Sequence, residues 1–293
     1  NDAPVFSLPS LAPGALENQT SVTTVTATDQ DAGDVLTFTL AGGSDVALFD
    51  LDSSTGVLTF KVAPNFESPA DTDGDNVHKL TLQASDGLGV VVQPITVTVT
   101  DANDAPVITS SASFNAAENQ IAAATLTATD EDTGATLTFS LSGGADVALF
   151  ELESSTGILS FKAAPDFETP ADVDGDNIHE VILEVGDGTV SVTQSFTVTV
   201  TDANDAPAFT SLASFNAAEN QVVGGTITAI DVDAGDTLTF TITGGVDAAL
   251  FSLDGSTGSL TFKTAPDFEI PSDADTDNVH EVTLEVGDGI VTV

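Results

Sequence analysis

The hexapeptide Asp101-Ala102-Asn103-Asp104-Ala105-Pro106 recurs unchanged at residues 202–207, and its last four residues open the chain as Asn1-Asp2-Ala3-Pro4. From Asn1 to Asn103 is 102 residues, and from Asn103 to Asn204 is 101. A period this long is a domain, not a turn of a solenoid, so the sequence reads as three tandem domains at 1–102, 103–203 and 204–293. The proline fixes φ and removes a hydrogen-bond donor, which makes each hexapeptide an extended joint. Carboxylate, amide and carbonyl oxygens crowded into such a joint are the donors that a hard divalent cation such as calcium takes.

Between the joints the pattern is that of strands. Leu36, Phe38 and Leu40 alternate with Thr37 and Thr39, and Ile95, Val97 and Val99 alternate with Thr96, Thr98 and Thr100. Period 2 marks a strand with one buried face, and no stretch keeps a helical period. Seven or so short strands in about 100 residues, parted by Gly-rich turns, predict an all-β fold, a β-sandwich in each domain. Ser54-Thr55-Gly56 reads as a hairpin turn between Leu51 and Leu58. The third domain stops at Val293, which aligns with Val192, and lacks the equivalent of 193–203. The expectation there is an open edge and a slot beside Leu238, Phe240 and Ile242. Continuation of the parent chain is the favoured source of the lacking strand, ahead of a strand donated by a neighbouring chain.

Composition narrows the partners. Asp and Glu total 46 against 4 Lys and no Arg, a formal charge of −42. Phosphate binding needs a basic face, so nucleic acid is excluded as a partner, and adsorption to anionic lipid is disfavoured. Disorder is the other common meaning of so much charge, but 41% of the residues are apolar and they alternate. The chain has no Cys, hence no disulfides, and no Met, Trp or Tyr. No 18-residue apolar run exists, so no membrane insertion is expected. With no signal peptide, no initiator Met and a start inside a joint, the chain reads as an excerpt of something longer.

Five features recur in fixed order in the three repeats or at each joint. They are a Glu-Asn pair (17–18, 118–119, 219–220), an Asp-x-Asp after a strand (29–31, 130–132, 231–233), the block F-x-L-x-x-x-T-G-x-L, an x-Phe-Glu (65–67, 166–168, 267–269), and the joint itself. Together they resemble cadherin repeats, specifically the bacterial cadherin-like kind of large surface adhesins, over the whole chain. The resemblance implies Greek-key β-sandwiches strung into an elongated rod, about 120 Å long for three domains. It also implies two or three Ca2+ ions at each joint. At the first, the ligands would be Glu17, Asn65 and Glu67 from the domain above, Asp101, Asn103 and Asp104 from the joint, and Asp130, Asp132 and Asp187 from the domain below. At the second, they would be Glu118, Asp166, Glu168, Asp202, Asn204, Asp205, Asp231, Asp233 and Asp288. Asp2, Asp29, Asp31 and Asp86 would form half a site at the start, and Glu219, Asp267 and Glu269 the other half at the far end. Asn65 replaces the Asp found at 166 and 267, so the first joint is expected to bind more weakly. Ala105 and Ala206 stand where animal cadherins often carry Asn, and the tryptophan that those proteins swap in adhesion is absent.

Other residues read more plainly. The loops 71–76, 172–177 and 273–278 look like half of an EF-hand, but Asn stands at position six and Leu82, Leu183 or Leu284 at position twelve. A solvated turn and a local calcium site both fit them. His78, His179 and His280, one per domain, read as strand-edge residues without chemistry, and the sequon Asn18-Gln19-Thr20 has no counterpart in the other repeats. No nucleophile elbow, thiol or phosphate loop is present, so no enzyme is expected. The leading function is a calcium-stiffened structural and adhesive rod segment of a secreted bacterial surface adhesin or extracellular filament. Its partners would be calcium, neighbouring repeats of the parent chain, and other copies of itself or a cell-surface or matrix ligand. A calcium-dependent polysaccharide-binding module, or an ancillary array of a larger secreted enzyme, are the alternatives.

Overall fold

A computed structural model describes residues 1–293. In the first repeat the chain runs through β1 (Val5–Phe6), β2 (Gly14–Leu16), β3 (Ser21–Thr24), β4 (Ala27–Thr28), β5 (Thr37–Gly42), β6 (Phe49–Leu51), β7 (Val57–Phe60), β8 (Val77–Ser85) and β9 (Val90–Thr100). One sheet has the order β2-β9-β8-β5 and the other β3-β7-β6, with β1 and β4 forming a two-residue ribbon beside them. All the pairings are antiparallel except that of β2 with β9, which is parallel. The chain crosses between the two sheets from β2 to β3, β5 to β6 and β7 to β8, while β6–β7 and β8–β9 pair as neighbours within a sheet, a Greek-key-like sandwich. The second repeat restates these strands from Val107–Ile108 to Ser191–Thr201.

The alternation in the sequence becomes the core. His78, Leu80, Leu82 and Ala84 of β8 are all buried, and across from them lie Ile95, Val97 and Val99 of β9. Phe38, Phe49, Leu58 and Phe60 close the sandwich from the other elements. Burying each such side chain contributes about 1.5–3 kcal/mol. The hairpin between β6 and β7 forms where expected, with Leu51 opposite Leu58. Asp52 holds its turn by accepting the backbone N–H groups of Ser54 and Thr55 at 2.9 and 2.7 Å. Gly56 has φ 72°, and a Cβ there would lie 2.1 Å from the Val25 carbonyl oxygen, so no other residue fits.

The histidines differ from the strand-edge reading. His78 is 1% exposed and sits edge-on against the rings of Phe49 and Phe60, with centroids 5.4 and 5.1 Å away. His179 repeats this against Phe150 and Phe161. These are core residues because they share the inward parity of Leu80 and Val181.

The third repeat is less complete. Val293 lies two residues into the equivalent of β9, where the mutual bonds of Val286 and Val293, at 3.0 and 2.9 Å, and the bridge of Gly287 to Thr292 begin that pairing. The equivalent of β8 shrinks to Thr283–Gly287. Residues 214–218, equivalent to β2, form no strand, because β2 pairs only with β9 in its sheet. A cleft of about 990 Å³ opens there, lined by Phe215, Ile227, Phe251, Phe262 and Leu284 among others. No helix of the chain is long and apolar enough to cross a membrane.

Candidate metal centre

At the first joint, Glu17 follows β2 directly and is fully buried. Its two carboxylate oxygens accept the N–H groups of Phe66 at 2.7 Å and of Ala102 at 2.8 Å. The buried carboxylate thus ties the segment 65–67 to the joint. Asn18, next to it, adopts φ 58°, a left-handed conformation that Asn tolerates better than most residues. That turn lets Asn18 donate its N–H to the Pro64 carbonyl and its Nδ2 to Asp104 Oδ1 at 2.8 Å. The Glu-Asn pair therefore has two jobs, a carboxylate at the joint and a turn that aims it. Glu118 and Asn119 repeat every one of these bonds at the second joint. Glu219 is exposed and holds only the Phe268 N–H, at 3.0 Å.

The acidic loops support this frame. Asp71 is buried and accepts the N–H groups of Asp75 and Asn76, and Asn76 Nδ2 then donates to the Phe66 carbonyl at 2.8 Å. Asp45, also buried, accepts from Thr72 N and Lys79 N, both at 2.8 Å. Burial pushes the Asp45 carboxyl up, but the bonds from Lys79, Ser44 and Thr72 outweigh it and hold the group well below the usual carboxylate range. The loop so held fixes Phe66 and with it Glu67. In the second repeat Asp146, Asp172 and Asn177 do the same.

From below, Asp130 and Asp132 form a tight Asx turn, with Asp132 N–H on Asp130 Oδ1 at 2.9 Å. Asp132 Oδ2 accepts the Asp104 N–H at 2.9 Å, and Asp187 Oδ2 accepts Asn103 Nδ2 at 2.8 Å. These two bonds join the Asp-x-Asp turn and the Asp187 loop to the joint peptide. The second joint has the same pair, Asp205 N to Asp233 at 2.7 Å and Asn204 Nδ2 to Asp288 at 2.9 Å. At the start of the chain Asp2 N reaches Asp31 and Asn1 Nδ2 reaches Asp86.

These contacts bring the carboxylates together. Glu17, Glu67 and Asp101 each present an oxygen within 4.8 Å of the others, as do Glu118, Glu168, Asp202 and Asp233 at the second joint. Asp29 and Asp86 cluster similarly with Asp34. Two like charges at that distance repel by about 0.9 kcal/mol even in water. Several oxygens are also buried without any hydrogen-bond partner: Glu67 Oε2, Asp104 Oδ2, Asp130 Oδ2 and Asp132 Oδ1 at the first joint, and Glu168 Oε2, Asp231 Oδ2 and Asp233 Oδ1 at the second. Burial raises the carboxyls of Glu67 and Asp104 above their ordinary range, and neighbouring carboxylates add to it. Glu168 and Asp205 shift the same way for the same reasons. An all-oxygen donor set with unpartnered, buried acceptors fits a hard cation such as calcium. At the first joint a cavity of about 290 Å³ lies among Glu67, Asp101, Asn103, Asp132 and Asp187. Asn65 does not present a second carboxylate; its Nδ2 donates across the joint to Glu131 at 2.7 Å. Asp267 and Glu269 are exposed, with Asp267 capping its own turn.

Three acidic residues escaped the sequence reading. Glu131 lies within 4.8 Å of Glu67 and Asp104. Asp236 faces the second joint, where burial and the charges of Asp231, Asp233, Asp288 and Asp202 raise its carboxyl. Asp34 is its counterpart in the first repeat, and the recurring Ala-Gly-Asp at 32–34 and 234–236 was the signal.

No family model matches the chain. Mouse protocadherin-16 is 31% identical over 304 residues, covering 91% of this chain and 9% of that protein. Mouse protocadherin Fat 4 is 31% identical over 293 residues, covering 92% of this chain and 6% of that protein. The chain thus spans less than a tenth of the length of these relatives. Among solved structures, repeats EC22–24 of mouse cadherin-23 align with a TM-score of 0.57 at 21% identity, covering 99% of this chain and 94% of that one. Repeats EC21–23 of human CDH23 align with a TM-score of 0.58 at 20% identity, covering 97% and 99%.

Proposed function

We infer from this chain, an all-β tandem of cadherin-like domains, that it is a calcium-stiffened rod segment of an extracellular adhesive protein, divided into domains at 102/103 and 203/204. The observation that carries the reading is the set of buried, unpartnered carboxylate oxygens converging on the joints, at the first from the domain above, the joint and the domain below, and at the second from the domains above and below. Calcium, when bound, supplies the positive charge that lets these groups stay together. The chain's own residues do the rest. Glu17 and Glu118 hold the joint peptide to the upper domain, Asp132 and Asp233 hold it to the lower, and Asn18 and Asn119 keep Asp104 and Asp205 aimed inward. Without the cation the same carboxylates repel across the joint, so the angle between domains loosens. A secreted bacterial surface adhesin is the parent that best accommodates the x-Phe-Glu segments, the alanines at 105 and 206 and a chain without cysteine.

Small-angle scattering in millimolar calcium and in chelator tests this reading. Calcium is expected to lengthen the maximum dimension towards about 120 Å, the length of three end-to-end sandwiches. An identical profile in both conditions would refute it.

A further inference from the structure

We propose that Glu131 is a calcium ligand of the first joint, delivered from the lower domain in place of the carboxylate that Asn65 lacks. The inference rests on the reading of the joints as calcium sites. Asn65 Oδ1 accepts the Ser68 N–H at 2.6 Å, which fixes the amide so that its NH2 faces across the joint. Asp166 accepts the Thr169 N–H at 2.7 Å through its own Oδ1, which leaves a second carboxylate oxygen on the side where Asn65 presents a donor. An NH2 group cannot ligate a cation. At the first joint that donor is covered by Glu131 Oε2 at 2.7 Å.

Although Glu131 is exposed, its carboxylate lies among those of the joint. Glu67, Asp104 and Glu131 each place one oxygen within 4.8 Å of the others, and Glu67 Oε2 and Asp104 Oδ2 are buried with no hydrogen-bond partner. An exposed, flexible Glu serving only as an acceptor for Asn65 would swing away from two other carboxylates. Its place beside them is that of a third ligand to one cation. The second joint carries the complementary arrangement, with Asp166 above and Val232 where Glu131 stands. Each joint thus has one carboxylate at this spot, supplied from opposite sides. The weaker binding expected of the first joint from Asn65 alone is therefore offset by Glu131.

The test uses the full chain labelled with ¹⁵N and titrated with calcium chloride, with the amides of Ala102 and Ala203 reporting the two joints separately. Glu131→Val imports the residue found at the second joint and removes an exposed side chain, so folding is preserved. It is expected to weaken the first joint about tenfold and leave the second unchanged. Adding Asn65→Asp to that variant is expected to restore the first joint to within about threefold of the parent. If Glu131→Val stays within about twofold of the parent while Asp104→Ala weakens the joint, the joint binds calcium without Glu131 and the proposal falls. A double variant no tighter than the single one overturns the exchange with Asn65. If neither amide responds to calcium in the parent chain, the reading of the joints fails, and this inference with it.

Discussion

Glu17→Gln is the substitution whose effect depends most sharply on calcium. Glu17 is fully buried and gives both oxygens to backbone N–H groups, Phe66 at 2.7 Å and Ala102 at 2.8 Å. Gln can accept from only one of them, and its NH2 then confronts the other. Leaving a buried N–H without a partner costs about 1–3 kcal/mol. The lost charge works in the opposite direction, because oxygens of Glu67 and Asp101 lie within 4.8 Å. Relieving two repulsions of about 0.9 kcal/mol each returns nearly 2 kcal/mol in chelator. The two effects nearly cancel, and the first repeat should melt close to the parent. In calcium the repulsion is already neutralised, so no relief remains. A ligand is lost as well, and a site held at tenfold to hundredfold excess over its dissociation constant contributes about 1.4–2.7 kcal/mol. The penalty in calcium is therefore about 2.4–5.7 kcal/mol, a fall in melting temperature of about 10 °C or more for a domain of this size. The chain has no Trp or Tyr, so scanning calorimetry is the suitable assay. Glu219→Gln, at an exposed residue with a single bond, is the control and should shift little. A penalty for Glu17→Gln as large in chelator as in calcium would refute the reasoning.

Replacing His78 with Leu should stabilise the first repeat by about 1–3 kcal/mol at neutral pH, since both ring nitrogens are buried without partners. Burial holds the His78 pKa below its ordinary value, against the upward pull of Asp45, Asp71, Asp75 and Asp73. The folded state thus keeps the ring neutral while the unfolded chain protonates it below about pH 6.5, so stability is lost as pH falls through that value. The Leu variant should flatten that loss, and a lower melting temperature than the parent at neutral pH would count against the whole account of His78. Calcium affinity at both joints should fall on acidification earlier than for ordinary carboxylates, because burial first, and neighbouring carboxylates second, raise Glu67, Asp104, Glu168 and Asp205. A raised carboxyl binds its proton more tightly folded than unfolded, so without calcium its contribution to stability is lost as pH rises through the folded pKa, and calcium must displace that proton. Calorimetric titrations in two buffers of different ionisation enthalpy, carried out at pH values where the affinity has begun to fall, should reveal proton release on calcium binding, and a proton count of zero there contradicts it.

The sandwich was legible because burial in a strand follows parity. Ile95, Val97 and Val99 could be assigned inward from alternation alone, and the hairpin at 54–56 from its Gly. The same parity puts His78 in line with Leu80 and Leu82, so it is a core residue and not the strand-edge residue expected of a polar side chain. The joint carboxylates were found by their recurrence. Glu131 was missed for the converse reason: it occurs once, and only the bond from Asn65 across the joint gives it a role. The fate of residues 214–218 was also hidden, since no local pattern says that β2 relies on residues of β9, 84 positions downstream, for its pairing.

The parallel pairing of β2 with β9 has a mechanical consequence. Tension along the array enters a repeat near β1 and leaves through the end of β9, so it slides these two strands along each other instead of peeling them apart. Their ladder bonds lie across the direction of pull and share the load, and the Glu17 carboxylate, gripping Ala102 just past β9, adds a further tie. A repeat with this pairing should yield abruptly at high force.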